Sequence, residues 1–243
     1  MVGLGGSAGG IAALQGFFAS APADSGMAFV VVMHLAADRE SALAQILQRS
    51  TSMPVEQVKR HVKVKANHVY VIPPGKTLKA ANGYLACADL SAERGRRVAV
   101  DLFFRTLADT HGPHAAAIVL SGADGDGAIG IKRIKERGGL TIAQDPDEAE
   151  HSGMPRSAIA TGMVDWVLPV GDMAGRLIAL SSVLGSASSC PRRRGRSRRS
   201  AAPCGRRARG DAARGPRLRA REHRARLHAT TSGRRSCAGW RGA

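Results

Sequence analysis

Residues 1–33 read M-V-G-L-G-G-S-A-G-G-I-A-A-L-Q-G-F-F-A-S-A-P-A-D-S-G-M-A-F-V-V-V-M, and this stretch decides the fold. A short apolar run, Met1 to Leu4, enters a Gly-rich turn from Gly5 to Gly10. Ile11, Leu14, Phe17 and Phe18 follow at helical spacing. Pro22, Asp24 and Gly26 break that helix. Residues 28–33 form a continuous, largely β-branched apolar run, the pattern of a strand covered on both faces. Asp38 offers a cap for a further helix over roughly 40–49. Strand, helix, strand and helix joined by short connections predict a parallel sheet.

Outward from there, the pattern changes and then resumes. V-Y-V-I-P-P-G-K-T-L (69–78) and Y-L-A-C (84–87) read as short strands around a Pro-Gly and an Asn82-Gly83 turn. The second dipeptide predicts a hairpin. The periodicity then predicts a helix over 100–110, a buried strand over 115–121, a helix over 126–137 and a strand over 140–143. A short helix over 157–161, a strand over 164–168 and a helix over 171–184 complete the series. Met173, Leu177, Leu180 and Leu184 give the last helix an apolar stripe. The fold class is α/β: a doubly wound, mostly parallel sheet with helices on both faces and an inserted β-hairpin, built from residues 1–185.

The formal charge of +17 on 243 residues suggests a nucleic-acid binder, but its distribution does not. Residues 1–185 carry 18 basic and 17 acidic side chains, whereas residues 186–243 carry 18 Arg, no Lys and two acids. The tail is Arg, Ala, Gly, Ser and Pro with one aromatic, Trp240, too little apolar surface to offset its ordering entropy. A disordered tail is therefore expected. It reads either as a basic arm for phosphates or as an out-of-frame translation of GC-rich coding sequence. The absence of Lys favours the second, so no specific nucleic-acid partner is expected. No leader and no run of membrane-spanning length is legible, which predicts a cytoplasmic protein without membrane insertion. Cys190, Cys204 and Cys237 fit no zinc spacing, and Cys87 is alone in the body, so neither a disulfide framework nor a metal is expected there.

Chemistry concentrates in three loops that follow strands. Gly3 to Ala8 fits the dinucleotide pattern G-x-G-x-x-G/A, and Gly5 to Gly9 fits the G-x-S-x-G pattern of a nucleophile elbow. The first needs an acid at the end of the second strand to hold a ribose, and His34 stands there instead. A histidine serves better as a base toward Ser7, which otherwise reads as a helix cap. The third loop, S-G-A-D-G-D-G (121–127), offers two carboxylates, Asp124 and Asp126, to orient an imidazole. A D-x-D calcium loop is the weaker alternative, because the closing glutamate is missing.

The stretches G-L-G-G-S-A-G-G (3–10), V-V-V-M-H-L-A (30–36), V-Y-V-I-P-P-G (69–75), V-D-L-F-F-R-T-L-A (100–108), V-L-S-G-A-D-G-D-G (119–127), T-I-A-Q-D-P (141–146) and G-M-P-R-S-A-I-A-T-G (153–162) together resemble the CheB protein-glutamate methylesterases of bacterial chemotaxis. The likeness is greatest to forms fused to a CheR methyltransferase. It implies a serine hydrolase with Ser7 as nucleophile, His34 as base and Asp126 as the orienting acid. It further implies oxyanion donation from the backbone N–H groups of Ala8 and Ala123, and a substrate-binding part for Arg156. That family often has Met or Thr at the position of Ala123 and Gly at that of Asp124. The implied reaction is hydrolysis of glutamate γ-methyl esters on chemoreceptor cytoplasmic helices, with glutamine deamidation at the same sites. No metal or organic cofactor is implied. A CheR-type methyltransferase domain is the expected partner where the Arg-rich segment begins. The alternative is a catalytically silent interaction module with the same fold.

Overall fold

Val2–Gly6 forms the first strand, β1, and all five residues are buried. Its glycines are explained by close packing. A Cβ on Gly3 would lie 2.9 Å from a Phe104 ring carbon, and one on Gly5 would lie 2.3 Å from Val100 Cγ1. The helix that carries those side chains rests directly on the strand backbone. The computed structural model describes residues 1–34, 42–89 and 98–187. After β1 come α1 (Gly10–Ser20), β2 (Ala28–Met33), α2 (Leu43–Gln48), β3 (Val55–Gln57), β4 (His61–Lys63), β5 (His68–Val71), β6 (Lys76–Ala81) and β7 (Tyr84–Asp89). Then follow α3 (Ala99–His111), β8 (Ala116–Val119), α4 (Ala128–Glu136), β9 (Leu140–Gln144), α5 (Gly153–Ile159), β10 (Trp166–Leu168) and α6 (Val170–Ala187).

Seven strands form one sheet in the order β10-β9-β8-β1-β2-β5-β3, and every pairing in it is parallel. Along β2, Val30 and Val32 join a core with Phe103, Phe104 and Ile131. Phe29 and Val31, alternating with them, join a core with Leu14, Phe17 and Phe18. This is the two-faced burial that the apolar run predicts. Phe17, Phe18 and Phe29 meet edge to face with ring centroids 5.2–5.8 Å apart. From β1 the chain builds outward through β2, and it later returns to the other side of β1 with β8. The order of winding therefore reverses between β1 and β8, and a crevice opens at the carboxyl ends of such strands.

The antiparallel part is a separate three-stranded sheet, β4-β7-β6. Asn82 (φ 45°) and Gly83 (φ 80°) make its hairpin turn, both in the left-handed region that this dipeptide tolerates. The run over 69–78 divides at Pro73–Gly75. Its first half is β5 in the parallel sheet and its second half is β6 in the hairpin. β3 and β4 are three residues each, too short to show a period, and have no counterpart in the sequence reading. The helix expected over 157–161 begins earlier, at Gly153, because Pro155 sits in a first turn where no N–H is required of it. Ile11, expected on the inner face of α1, is exposed. In α6, Met173 and Leu177 are buried as the stripe predicts. Asp38, the side chain of Leu184 and the Arg-rich segment from residue 188 on lie outside the described residues. Among the described residues no helix is long and apolar enough to cross a membrane.

Candidate active site

β8, β1 and β2 are adjacent in the sheet, and each delivers one element of the site at its carboxyl end. After β1 the chain makes a tight turn through Ser7, Ala8 and Gly9. Gly9 takes φ 73°, and Gly10 N–H donates to the Ser7 carbonyl at 3.0 Å. A side chain at position 9 would be strained by φ alone and would also meet Ser121 Oγ at 2.6 Å. Ser7 is half-buried beside the N-terminal end of α1, and its N–H is bound by the Ser121 carbonyl at 2.9 Å. Gly122 lies against it: a Cβ there would stand 3.1 Å from Ser7 Cβ and 2.1 Å from Met154 Sδ.

His34 directly follows β2, with a side chain 7% exposed. Its Nε2 lies 2.7 Å from Asp126 Oδ2. Its Nδ1 is buried and has no hydrogen-bond partner among the described residues. Asp124 Oδ2 stands 3.2 Å from that nitrogen, close enough for an ion pair but out of line for a hydrogen bond. The contact with Asp126 requires a proton on Nε2 when the carboxylate is ionised, which leaves Nδ1 as the acceptor in a neutral ring.

Of the two acids after β8, Asp126 is the buried one, with a side chain 1% exposed against 39% for Asp124. Besides His34, its carboxylate accepts N–H bonds from Val100, Asp101 and Gly127, each 2.9 Å. The first two are amides of the opening turn of α3, so an acid from one loop caps a helix from another. Asp101 returns the favour. It is 7% exposed and accepts the Gly130 N–H, in the first turn of α4, at 2.7 Å. Burial pushes its carboxyl up to about 6. The Gly130 N–H opposes that rise, and the nearby Asp126 charge adds to it.

Ala8 and Ala123 are both exposed on this edge, and neither N–H has a hydrogen-bond partner among the described residues. Among those residues no hydrogen bond joins Ser7 Oγ to His34. Arg156 is exposed on α5, where its Nε donates to Ser152 Oγ at 3.1 Å, and it forms no ion pair with a described residue. Two residues of the site were missed by sequence reading. Asp101 carried a faint signal, an acid inside the apolar V-D-L-F-F run. Ser121 carried none beyond its place in a Gly-rich loop.

This geometry can be set beside known proteins. The sequence profile of the CheB methylesterase family matches residues 2–177. The chain belongs to the CheB methylesterase family. A relative from Leptospira interrogans is 34% identical over 182 residues, covering 73% of this chain and 92% of its own length. The Geobacter metallireducens protein-glutamate methylesterase/protein-glutamine glutaminase 1 is 33% identical over 178 residues, and the chain spans 49% of its length. The crystal structure of the Thermotoga maritima CheB methylesterase catalytic domain superposes with a TM-score of 0.68 at 30% identity. That match covers 74% of this chain and 97% of the other. The CheB fold is thus the one described above, a parallel sheet between helices with a small antiparallel sheet beside it.

Proposed function

We propose that this CheB-family chain hydrolyses glutamate γ-methyl esters on chemoreceptor cytoplasmic helices, through Ser7, His34 and Asp126. One observation carries the residue assignment. A buried imidazole at the end of β2 is held through Nε2 by a fully buried carboxylate, and its other nitrogen, on the edge where the Ser7 turn emerges, has no hydrogen-bond partner among the described residues. Asp126 holds the tautomer, and Nδ1 is the base. Ser7 Oγ attacks the ester carbonyl carbon while its proton passes to Nδ1. The oxyanion so formed is met by the N–H groups of Ala8 and Ala123, two exposed residues whose N–H groups have no hydrogen-bond partner among the described residues. Methanol leaves with the proton from Nδ1. Water, activated by the same nitrogen, then splits the acyl-enzyme to free glutamate. A glutamine side chain enters the same sequence with ammonia as the leaving group. None of these steps draws on a metal or organic cofactor.

Arg156 supports the reading as a cation without an ion-pair partner among the described residues, suited to an acidic receptor helix. An ester that is removed must also be made, so the opposing partner is a methyltransferase of the CheR kind, and a receptor's cytoplasmic helix sets the place of action in the cytoplasm. On composition we read residues 186–243 as out-of-frame sequence that takes no part. The direct test is methanol release from methylated receptor membranes. Ser7→Ala should lower turnover by roughly three orders of magnitude or more while the melting temperature holds. Near-native turnover in that variant would exclude Ser7 as the nucleophile.

A further inference from the structure

Ser121 stands outside the Ser7–His34–Asp126 set, yet it is bonded to the peptides on both sides of the Ser7–Ala8 peptide in the nucleophile turn. It is 1% exposed, just past the end of β8. Its carbonyl accepts the Ser7 N–H at 2.9 Å. Its hydroxyl donates to the Ala8 carbonyl at 2.8 Å and accepts the His151 N–H at 2.9 Å. A longer approach to the His151 carbonyl, 3.3 Å, competes for the same hydrogen, and the shorter bond takes it. Its own N–H donates to Gln144 Oε1 at 2.8 Å, and Gln144, itself 3% exposed, donates onward to Glu148 at 3.2 Å.

We propose that Ser121 is the positioning residue of the oxyanion-binding turn. It engages the Ser7 N–H and the Ala8 carbonyl, which belong to the peptides on either side of the Ser7–Ala8 peptide, while Gly10 N–H holds the carbonyl of that central peptide at 3.0 Å, so the Ala8 N–H remains as the donor aimed at substrate oxygen. The hydroxyl is the part that matters. Removing it takes a partner from the Ala8 carbonyl and the His151 N–H in a part-buried place, and the turn relaxes to find others. Oxyanion stabilisation depends on donors held in place before reaction, so a small displacement is felt in the rate and little in binding. Ser121 acts through Ser7 and Ala8 and does not itself touch substrate.

This inference rests on the nucleophile assignment above, and the test separates the two. The full chain is assayed for methanol release from methylated receptor membranes and for the rate at which a phosphonofluoridate labels Ser7. Ser121→Ala should lower kcat about 10- to 100-fold and slow labelling in parallel, with KM within about twofold of native. Ser121→Thr keeps the hydroxyl and should stay within about threefold of native. Should Ser121→Ala fail to fold, Ser121→Cys, of similar size but a weak hydrogen-bonding group, replaces it and should show the same kcat loss. The proposal is overturned if kcat is unchanged, if the loss lies in KM, or if Ser121→Thr falls as far as Ser121→Ala. A Ser7→Ala control that stays active overturns the nucleophile assignment instead.

Discussion

Asp126 bonds to His34 and to the first turn of α3 with the same carboxylate, so the group that orients the base is itself held by backbone amides. Such a carboxylate cannot rotate toward solvent without uncapping a helix. Asp124, two residues earlier, accepts only the Asp126 N–H, at 3.3 Å, among the described backbone amides, and stands beside Nδ1. Arg156 is a different kind of site residue, exposed and tied by one bond to Ser152 Oγ. If it holds the acidic substrate helix, its contact is the same in the ground and transition states. Arg156→Ala should then raise KM for receptor membranes about 3- to 10-fold with kcat little changed. Steady-state kinetics across a receptor concentration series reads the split, and an unchanged KM would return Arg156 to a surface role.

Between elements, the site is stabilised by two helices that exchange caps, Asp126 onto α3 and Asp101 onto α4. The Asp101 carboxyl sits at about 6 in the fold against an ordinary 3.8, so the fold favours its protonated form. Its contribution to stability is therefore fully present below about pH 4 and is lost as pH rises through about 6. Asp101→Asn keeps an acceptor for the Gly130 N–H without the charge. Its stability relative to native should climb between pH 4.5 and pH 8 by an amount on the order of 2 kcal/mol, read as a rising difference in melting temperature. A difference that stays constant with pH would remove the buried charge from the account. The α3–α4 contact makes a second prediction. Gly→Ala within a helix ordinarily stabilises by roughly 0.5–1 kcal/mol. At Gly130 the new Cβ would lie 2.5 Å from Phe104 Cβ, and overpacking of about 1–3 kcal/mol wins. At Gly175 in α6 nothing lies within 4 Å, and the helix gain stands. Thermal melts should show Gly130→Ala below native and Gly175→Ala above it.

At the scale of the whole molecule, three adjacent parallel strands bring to one edge residues that are 27 and 119 positions apart from Ser7. The reversal of winding between β1 and β8 leaves room there for a substrate side chain. Among the described residues, the two cores flanking the sheet are assembled from positions 2–177. Deleting residues 188–243 should therefore leave melting temperature and methanol release within error of the full chain. The deleted +16 of charge should account for any DNA or RNA binding, and that binding should fall steeply with salt. A loss of stability on truncation, or salt-resistant binding to one sequence, would make the segment part of the working protein.

Period and turn chemistry were enough for the parallel sheet, the hairpin at Asn82-Gly83 and the strand ends that bear Ser7 and His34. These are local properties, written in residues close along the chain. Residues alone left Asp124 and Asp126 as equal candidates, since both follow the same strand in the same Gly-rich loop. Their difference is one of burial and of the α3 amides, which lie about 25 residues away in sequence. The same holds for Asp101 and Ser121, whose roles depend on partners in other loops. Tertiary structure decided these because a hydrogen bond between distant segments leaves no period in a sequence, whereas a buried face does.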